Sequence, residues 1–207
     1  PDIVLVTRGS LLGNTSWGCS SMRFKSVAVF LAAILGSTLL PVSVEAHFGY
    51  PLEVCQVAKA AGRTWVEVDI TTQSLYVFEN GRPIRRIVKN ISTANVRDLR
   101  FHKGLGKKII PKEPRGCFKI EGKEKKAYSE AYGVTLRNAV WFGGPGVKER
   151  AYAIHCVLPG KEQHLGHPNS GGCIRTPYDF CEWFYAWAKI DVPVWIYGEW
   201  TGPYKRK

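Results

Sequence analysis

The chain carries a single methionine, Met22, and begins on proline. It is short of acid, with 17 Asp and Glu against 29 Lys and Arg. Nothing repeats and no low-complexity linker is present, which excludes a solenoid and leaves no sign of a second module. The one long apolar run, Val27 to Leu40, is shorter than the ~20 residues a spanning helix needs. Its setting is informative. Arg23 and Lys25 precede it, and Pro41-Val42-Ser43-Val44-Glu45-Ala46 comes after it, with small residues at Val44 and Ala46. A basic start, an apolar middle and a small-residue cleavage site make a secretory signal peptide. The expectation is a true start at Met22, upstream translation over residues 1–21, a signal peptide over 22–46 and cleavage after Ala46. An uncleaved membrane anchor is the alternative. The chain from His47 onward is long enough for one core and short of two: a lead over 47–64, a domain over 65–198 and a basic, mobile tail over 199–207.

Removing residues 1–46 takes away Arg8, Arg23 and Lys25 against Asp2 and Glu45, which lowers the formal charge from +12 by one, to +11. Nucleic acid is the first partner such a balance suggests, but an exported protein meets anionic envelope polymers instead. The basic residues are dispersed over Lys107-Lys108, Lys123 to Lys126 and Lys205-Arg206-Lys207. They read either as a solvated surface or as weak steering toward an anionic polymer. Membrane contact is expected only through the transient signal peptide.

Five cysteines lie beyond the cleavage site: Cys55, Cys117, Cys156, Cys173 and Cys181. An odd number in an oxidising compartment implies one free thiol, with Cys173 as the candidate. Sequence alone leaves the pairing of the other four open, and a Cys156–Cys173 bridge would silence the free thiol.

The body is mainly β. Thr64 to Ile70 and Gln73 to Phe78 alternate, and Asn80-Gly81 signals a hairpin into Pro83 to Val88. Residues 92–111 form a long basic loop of the kind that borders sites. Short strands are expected at Cys117 to Ile120 and Val134 to Leu136, and a closing strand at Val194 to Tyr197. Thr176-Pro177-Tyr178-Asp179 reads as a helix start with Thr176 as N-cap. Phe180, Trp183, Phe184 and Trp187 recur at helical spacing as a core stripe.

The chemistry centres on Ser170-Gly171-Gly172-Cys173-Ile174-Arg175, a cysteine behind a glycine turn whose amides can face an oxyanion. A base is needed, and His155 in the apolar run Tyr152-Ala153-Ile154-His155-Cys156 supplies it. His164 and His167, with Cys173, fall at loose spacing across glycine and proline, so no metal is expected.

Ile154-His155, then Leu165-Gly166-His167-Pro168-Asn169-Ser170-Gly171-Gly172-Cys173-Ile174-Arg175, resembles the active-site signature of the YkuD-type L,D-transpeptidases, which runs I-H-G, a loop, then L-G-x-P-x-S-H-G-C-[IV]-R. Val68-Asp69 with Gln73 to Phe78 resembles the opening hairpin of that family, Pro114 to Ile120 its T-P-x-G-x-F-x-I strand, and Tyr132-Gly133 its Y-G. The resemblance covers roughly Trp65 to Tyr197. Two positions depart: Gly171 stands where the family most often has histidine, and Cys156 where it has glycine.

The resemblance implies a β-sandwich or barrel with a helix after the nucleophile loop, and a cysteine transpeptidase that acts on peptidoglycan stem peptides without a cofactor. Cys173 would be nucleophile, His155 general base, the amides of Gly172 and Cys173 the oxyanion donors, and the Cys156 carbonyl the group orienting His155. Ser170, Gly171, Trp141, His167 and Arg175 would line the substrate site. Arg175 would bind a carboxylate or pin the loop through an ion pair. Trp141-Phe142-Gly143-Gly144-Pro145-Gly146 would be either a turn packed by two core aromatics or a segment whose aromatics wall the groove. His164 and His167 are expected on the surface of the substrate-side loop, where one of them could stand in for the missing motif histidine. The acceptor would be a stem peptide, an envelope protein or water, in the periplasm or cell envelope of a bacterium. The rival readings are a peptidoglycan-binding protein without turnover and an L,D-carboxypeptidase.

Overall fold

The computed structural model describes residues 49–112 and 114–204. The expected upstream segment, the signal peptide, the first two residues of the lead and the last three of the tail lie outside the described residues. The lead contains a helix, α1 (Leu52–Ala60), which starts after Pro51 and ends ahead of Gly62 at φ 59°. Its inward side is small, Cys55 and Ala58. A disulfide from Cys55 to Cys117 holds it, the Cα atoms lying 5.9 Å apart.

The strands β1 (Trp65–Asp69), β2 (Ser74–Glu79) and β3 (Arg82–Lys89) form the expected antiparallel meander. Asn80 and Gly81 turn β2 into β3 with φ of 49° and 74°, the left-handed pair that a two-residue hairpin demands. The loop expected over 92–111 is partly ordered as a small hairpin, β4 (Arg100–His102) and β5 (Lys107–Ile109). Local chemistry makes it: the His102 ring Nδ1 accepts from the Leu105 amide, and Gly106 takes φ 62° to reverse the chain.

The two short strands expected next are far longer, β6 (Gly116–Ser129) and β7 (Val134–Gly143), paired as one hairpin. Trp141-Phe142-Gly143 ends β7, and the expected turn follows at Gly144-Pro145-Gly146, where the Val147 amide donates to the Gly144 carbonyl at 3.0 Å. β8 (Tyr152–Cys156) pairs antiparallel with β7, and β9 (Ile174–Thr176) pairs parallel with β8. Next come α2 (Tyr178–Trp187) and β10 (Pro193–Tyr197). The main sheet has eight strands in the order β3-β2-β1-β10-β6-β7-β8-β9, with β1 and β10 parallel. Residues 91–95 draw the two ends together. Ile91 donates to the Gln73 carbonyl beside β2, while Ser92 and Arg175 exchange backbone bonds beside β9. The sheet thus curls toward a barrel.

Its concave face holds one core that includes Val66, Val68, Leu75, Phe118, Phe142, Ile154 and Ile174, capped by Phe180 and Phe184 of α2. Each of those two rings is worth about 1.5–3 kcal/mol of burial. Pro177 occupies the N-cap position of α2, and no side chain caps it. Thr176, expected there, instead ends β9 and donates its hydroxyl to the His155 carbonyl at 3.3 Å. A buried hydroxyl takes the acceptor it faces, and here that is a neighbouring strand. Cys156 and Cys181 join β8 to α2 by a second disulfide, Cα atoms 5.2 Å apart.

Candidate active site

Strand parity separates chemistry from packing. Ile154 and Ile174 are register partners that point into the main core, so their neighbours His155 and Arg175, also partners, face the other way. Ala153 shares that second face and pairs with Trp141 of β7. Cys173, the residue two before Arg175, packs against the small cluster formed by Ala127, Leu136, Ala139, Trp141 and Ala153. Nucleophile candidate, base candidate and guanidinium thus lie on one face at the β8–β9 edge.

The imidazole of His155 is buried, and its Nδ1–H donates to the Cys156 carbonyl at 2.6 Å. A carbonyl can only accept, so the bond places the ring hydrogen on Nδ1 and leaves the lone pair on Nε2. Burial and the nearby Arg175 charge push its pKa down to about 4, against the opposing pull of the Cys156 bond. Cys173 is the free cysteine among the described residues and is half-buried. Burial raises its thiol pKa, while a hydrogen bond with the Ala153 backbone and the Arg175 charge act in the opposite direction. Arg175 therefore favours a thiolate and disfavours an imidazolium. Cys156 is committed to Cys181, so the silencing Cys156–Cys173 bridge considered from sequence does not form.

The nucleophile turn is held tightly. Ser170 is fully buried, donates its amide to the Thr93 carbonyl at 2.8 Å, and accepts the Gly172 amide on Oγ at 3.1 Å. That last bond engages the Gly172 N–H expected to face an oxyanion. Gly172 adopts φ 132°, and a Cβ there would lie 3.1 Å from the Tyr152 ring, so glycine is required. Gly171 has a different constraint. A Cβ built on it would overlap Cζ and Cε2 of Tyr132 and come within 2.5 Å of its Oη, and the Tyr132 hydroxyl donates to the Gly171 carbonyl at 2.9 Å.

Two arginines converge beside the thiol. Arg175 donates to the Asn169 carbonyl at 2.9 Å, and Arg100 of β4 donates to the Asn169 side chain at 2.7 Å. Among the described residues the ion pairs are Lys59–Glu67 and Arg150–Glu124, so the internal ion pair considered for Arg175 is not seen among them. Arg100 Nε is buried with no hydrogen-bond partner among the described residues. Burial lowers the pKa of Arg175 to about 10, with repulsion from Arg100 the next contribution. The result is two guanidiniums held close together, with Asp98 the carboxylate that acts on Arg100.

His167, expected on the surface, is buried, and its Nδ1 meets the Leu165 carbonyl at 3.2 Å. His164 sits in the short turn Glu162–His164. Trp141 belongs to the cluster that Cys173 packs against, and its indole N–H is buried with no partner among the described residues. Among the described residues no group of three His, Cys, Asp or Glu gathers as metal ligands. Sequence reasoning missed Arg100, Asn169 and Ala153 as site residues. Tyr132 carried a signal, its pairing with Gly133, but no role.

A family model described as the L,D-transpeptidase catalytic domain matches residues 63–196. None of the curated proteins matches the chain. Among solved structures, an L,D-transpeptidase from Stackebrandtia nassauensis is 22% identical at a TM-score of 0.51, over 68% of this chain and 58% of that one. Residues 123–326 of the enzyme from Xylanimonas cellulosilytica are 24% identical at 0.53, over 66% and 61%. The enzyme from Mycobacterium smegmatis is 21% identical at 0.51, over 66% and 59%. The chain spans about three-fifths of the length of these structures, and the likeness is one of fold. With the family match running from just ahead of β1 through nearly all of β10, the chain belongs to the L,D-transpeptidase catalytic domain family.

Proposed function

We propose that the protein is an exported cysteine L,D-transpeptidase that cross-links peptidoglycan through a thioester on tetrapeptide stems. One observation carries this reading: the bond from His155 Nδ1 to the Cys156 carbonyl, which frees Nε2 as a base on the face that holds the free Cys173 thiol. Nε2 takes the thiol proton as sulfur attacks the carbonyl carbon joining the donor stem to its terminal D-amino acid. The tetrahedral oxyanion is met by the Cys173 amide, with the Gly172 amide joining when it exchanges Ser170 Oγ for substrate. Collapse returns the proton to the departing amine and leaves the thioester. An acceptor amine then loses a proton to Nε2, forms the new amide, and the sulfur leaves to regain its proton. An envelope protein amine is a second acceptor class for the same step.

Arg175 and Arg100 seat a substrate carboxylate, the group that two guanidiniums in no ion pair among the described residues best accommodate. Trp141 excludes water from the thioester. Export is supported by the two disulfides, which suit an oxidising compartment.

The test is intact-mass analysis of the folded protein incubated with a carbapenem, whose strained carbonyl acylates a thiol without an acceptor, and with a tetrapeptide muropeptide. A covalent adduct on wild type, absent from Cys173→Ala and slowed in His155→Ala, supports the proposal. No adduct from folded wild type sinks it and leaves a binding module. Products with and without an amine acceptor separate transfer from hydrolysis.

A further inference from the structure

Gly171 stands beside the Gly172-Cys173 pair, and the space a side chain there would take is already filled. The three atoms nearest to a Cβ built on Gly171 all belong to Tyr132, and Tyr132 Oη donates to the Gly171 carbonyl at 2.9 Å. Tyr132 reaches this place from the turn between β6 and β7, a different part of the chain. That turn is itself anchored. The Lys103 amide donates to the Ala131 carbonyl at 2.7 Å, Gly133 and Tyr132 both donate to the Ser129 carbonyl, and the His102 ring lies 5.7 Å from the Tyr132 ring.

We infer that Tyr132 is the positioning residue of the nucleophile turn, supplying from the β6–β7 turn the bulk and the hydrogen bond that a side chain at position 171 cannot. Its hydroxyl fixes the orientation of the peptide whose carbonyl belongs to Gly171 and whose nitrogen belongs to Gly172. Orienting that peptide orients the next one, which carries the Cys173 amide, the proposed oxyanion donor. Burial raises the phenol pKa, an effect reinforced by Cys173 and opposed by Arg100 and Arg175, and a protonated phenol is the form that can donate. His167, whose Nδ1 meets Leu165 of its own loop, is not among the nearest atoms to the position-171 Cβ. The same geometry explains the glycine, because any side chain at 171 would have to displace the phenol.

This inference rests on the transpeptidase reading, and the experiment separates the two. Carbapenem acylation of Cys173 is followed against carbapenem concentration for wild type, Tyr132→Phe, Tyr132→Ala, Gly171→Ala and two double variants, Tyr132→Ala with Gly171→Ala and Tyr132→Ala with Gly171→His, with thermal melts of each. Tyr132→Phe should lower the maximal acylation rate about tenfold, the scale of one lost hydrogen bond, with the half-saturating concentration within about twofold of wild type. Gly171→Ala should be slow in the wild-type background and near-neutral when combined with Tyr132→Ala, the signature of two residues sharing one space. The double variant that places histidine at 171 should regain at least about tenfold over Tyr132→Ala alone. A Tyr132→Phe protein that melts and acylates as wild type does, or additive effects at 132 and 171, would overturn the inference while leaving the enzyme reading intact. Wild type that forms no adduct overturns both.

Discussion

His155 donates from Nδ1 to the carbonyl of the next residue, Cys156, at 2.6 Å, and the side chain of Cys156 is bound covalently to Cys181 of α2. The group that sets the tautomer of the proposed base is therefore itself tied to the core helix. A cysteine that the motif alone would mark as a departure becomes part of the support.

The first prediction concerns pH. With the His155 pKa at about 4, the base is neutral over the whole physiological range, so the acid limb of Cys173 acylation should fall near pH 4. A limb at 6 to 7 in a carbapenem acylation profile, read against His155→Asn, would refute this. Stability tracks the same shift. The unfolded chain binds a proton to this ring near 6.5 and the folded chain does not, so stability from the buried neutral ring is full above about 6.5. It is lost as pH falls toward about 4 and amounts to about 3 kcal/mol across that window. The difference between wild-type and His155→Asn unfolding free energies should shrink on acidification.

The two disulfides should separate stability from activity. Cys55 and Cys117 are 62 residues apart and Cys156 and Cys181 are 25 apart. Loop entropy puts their contributions at about 4 and about 3 kcal/mol. Removing the first pair by double alanine substitution should cost more in a denaturant titration yet leave acylation near wild type, since it ties α1 to the first residues of β6 and touches neither β8 nor β9. Removing the second should cost less stability and slow acylation, because it frees the strand that carries His155. Equal acylation by the two variants would contradict the supporting role of Cys156.

Arg100 offers a specificity test. Its buried Nε has no partner among the described residues, and it meets Arg175 across Asn169. Arg100→Gln should weaken apparent affinity for a donor with a free terminal carboxylate by about tenfold, the worth of a charge-assisted bond. A donor amidated at that carboxylate should bind wild type and variant alike. A uniform loss for both donors would assign Arg100 to loop structure alone.

Local chemistry is what the sequence made readable. Asn80-Gly81 announces its hairpin because few residues accept positive φ, and the Phe180 to Trp187 stripe announces α2 by its period. Ser170 to Arg175 announces a nucleophile turn by its glycines. Long-range choices stay silent. The outer half of β6, Gly122 to Ser129, is largely polar on both faces, and only its pairing with β7 makes it a strand. Thr176 looks like a helix cap until the His155 carbonyl competes for its hydroxyl. Arg100 and Tyr132 reach Cys173's surroundings from separate hairpins, so no spacing along the chain marks them. The cysteine pairing likewise depends on which strands and helices meet.

The place of β10 carries a kinetic consequence. It is the last strand along the chain, yet it lies between β1 and β6 and joins the meander β3-β2-β1 to β6-β7-β8-β9. Until residues 193–197 arrive, the two halves lack their shared ladder, and contacts of such long sequence separation form slowly. A chain that emerges progressively from its N-terminal side would expose two unfinished sheet edges through most of its synthesis, the condition under which strands pair wrongly or aggregate. Cys173 also lies ahead of β10. Its thiol is present before the fold that distinguishes it from the four paired cysteines is complete, so correct oxidation has to outlast, or come after, the insertion of the final strand.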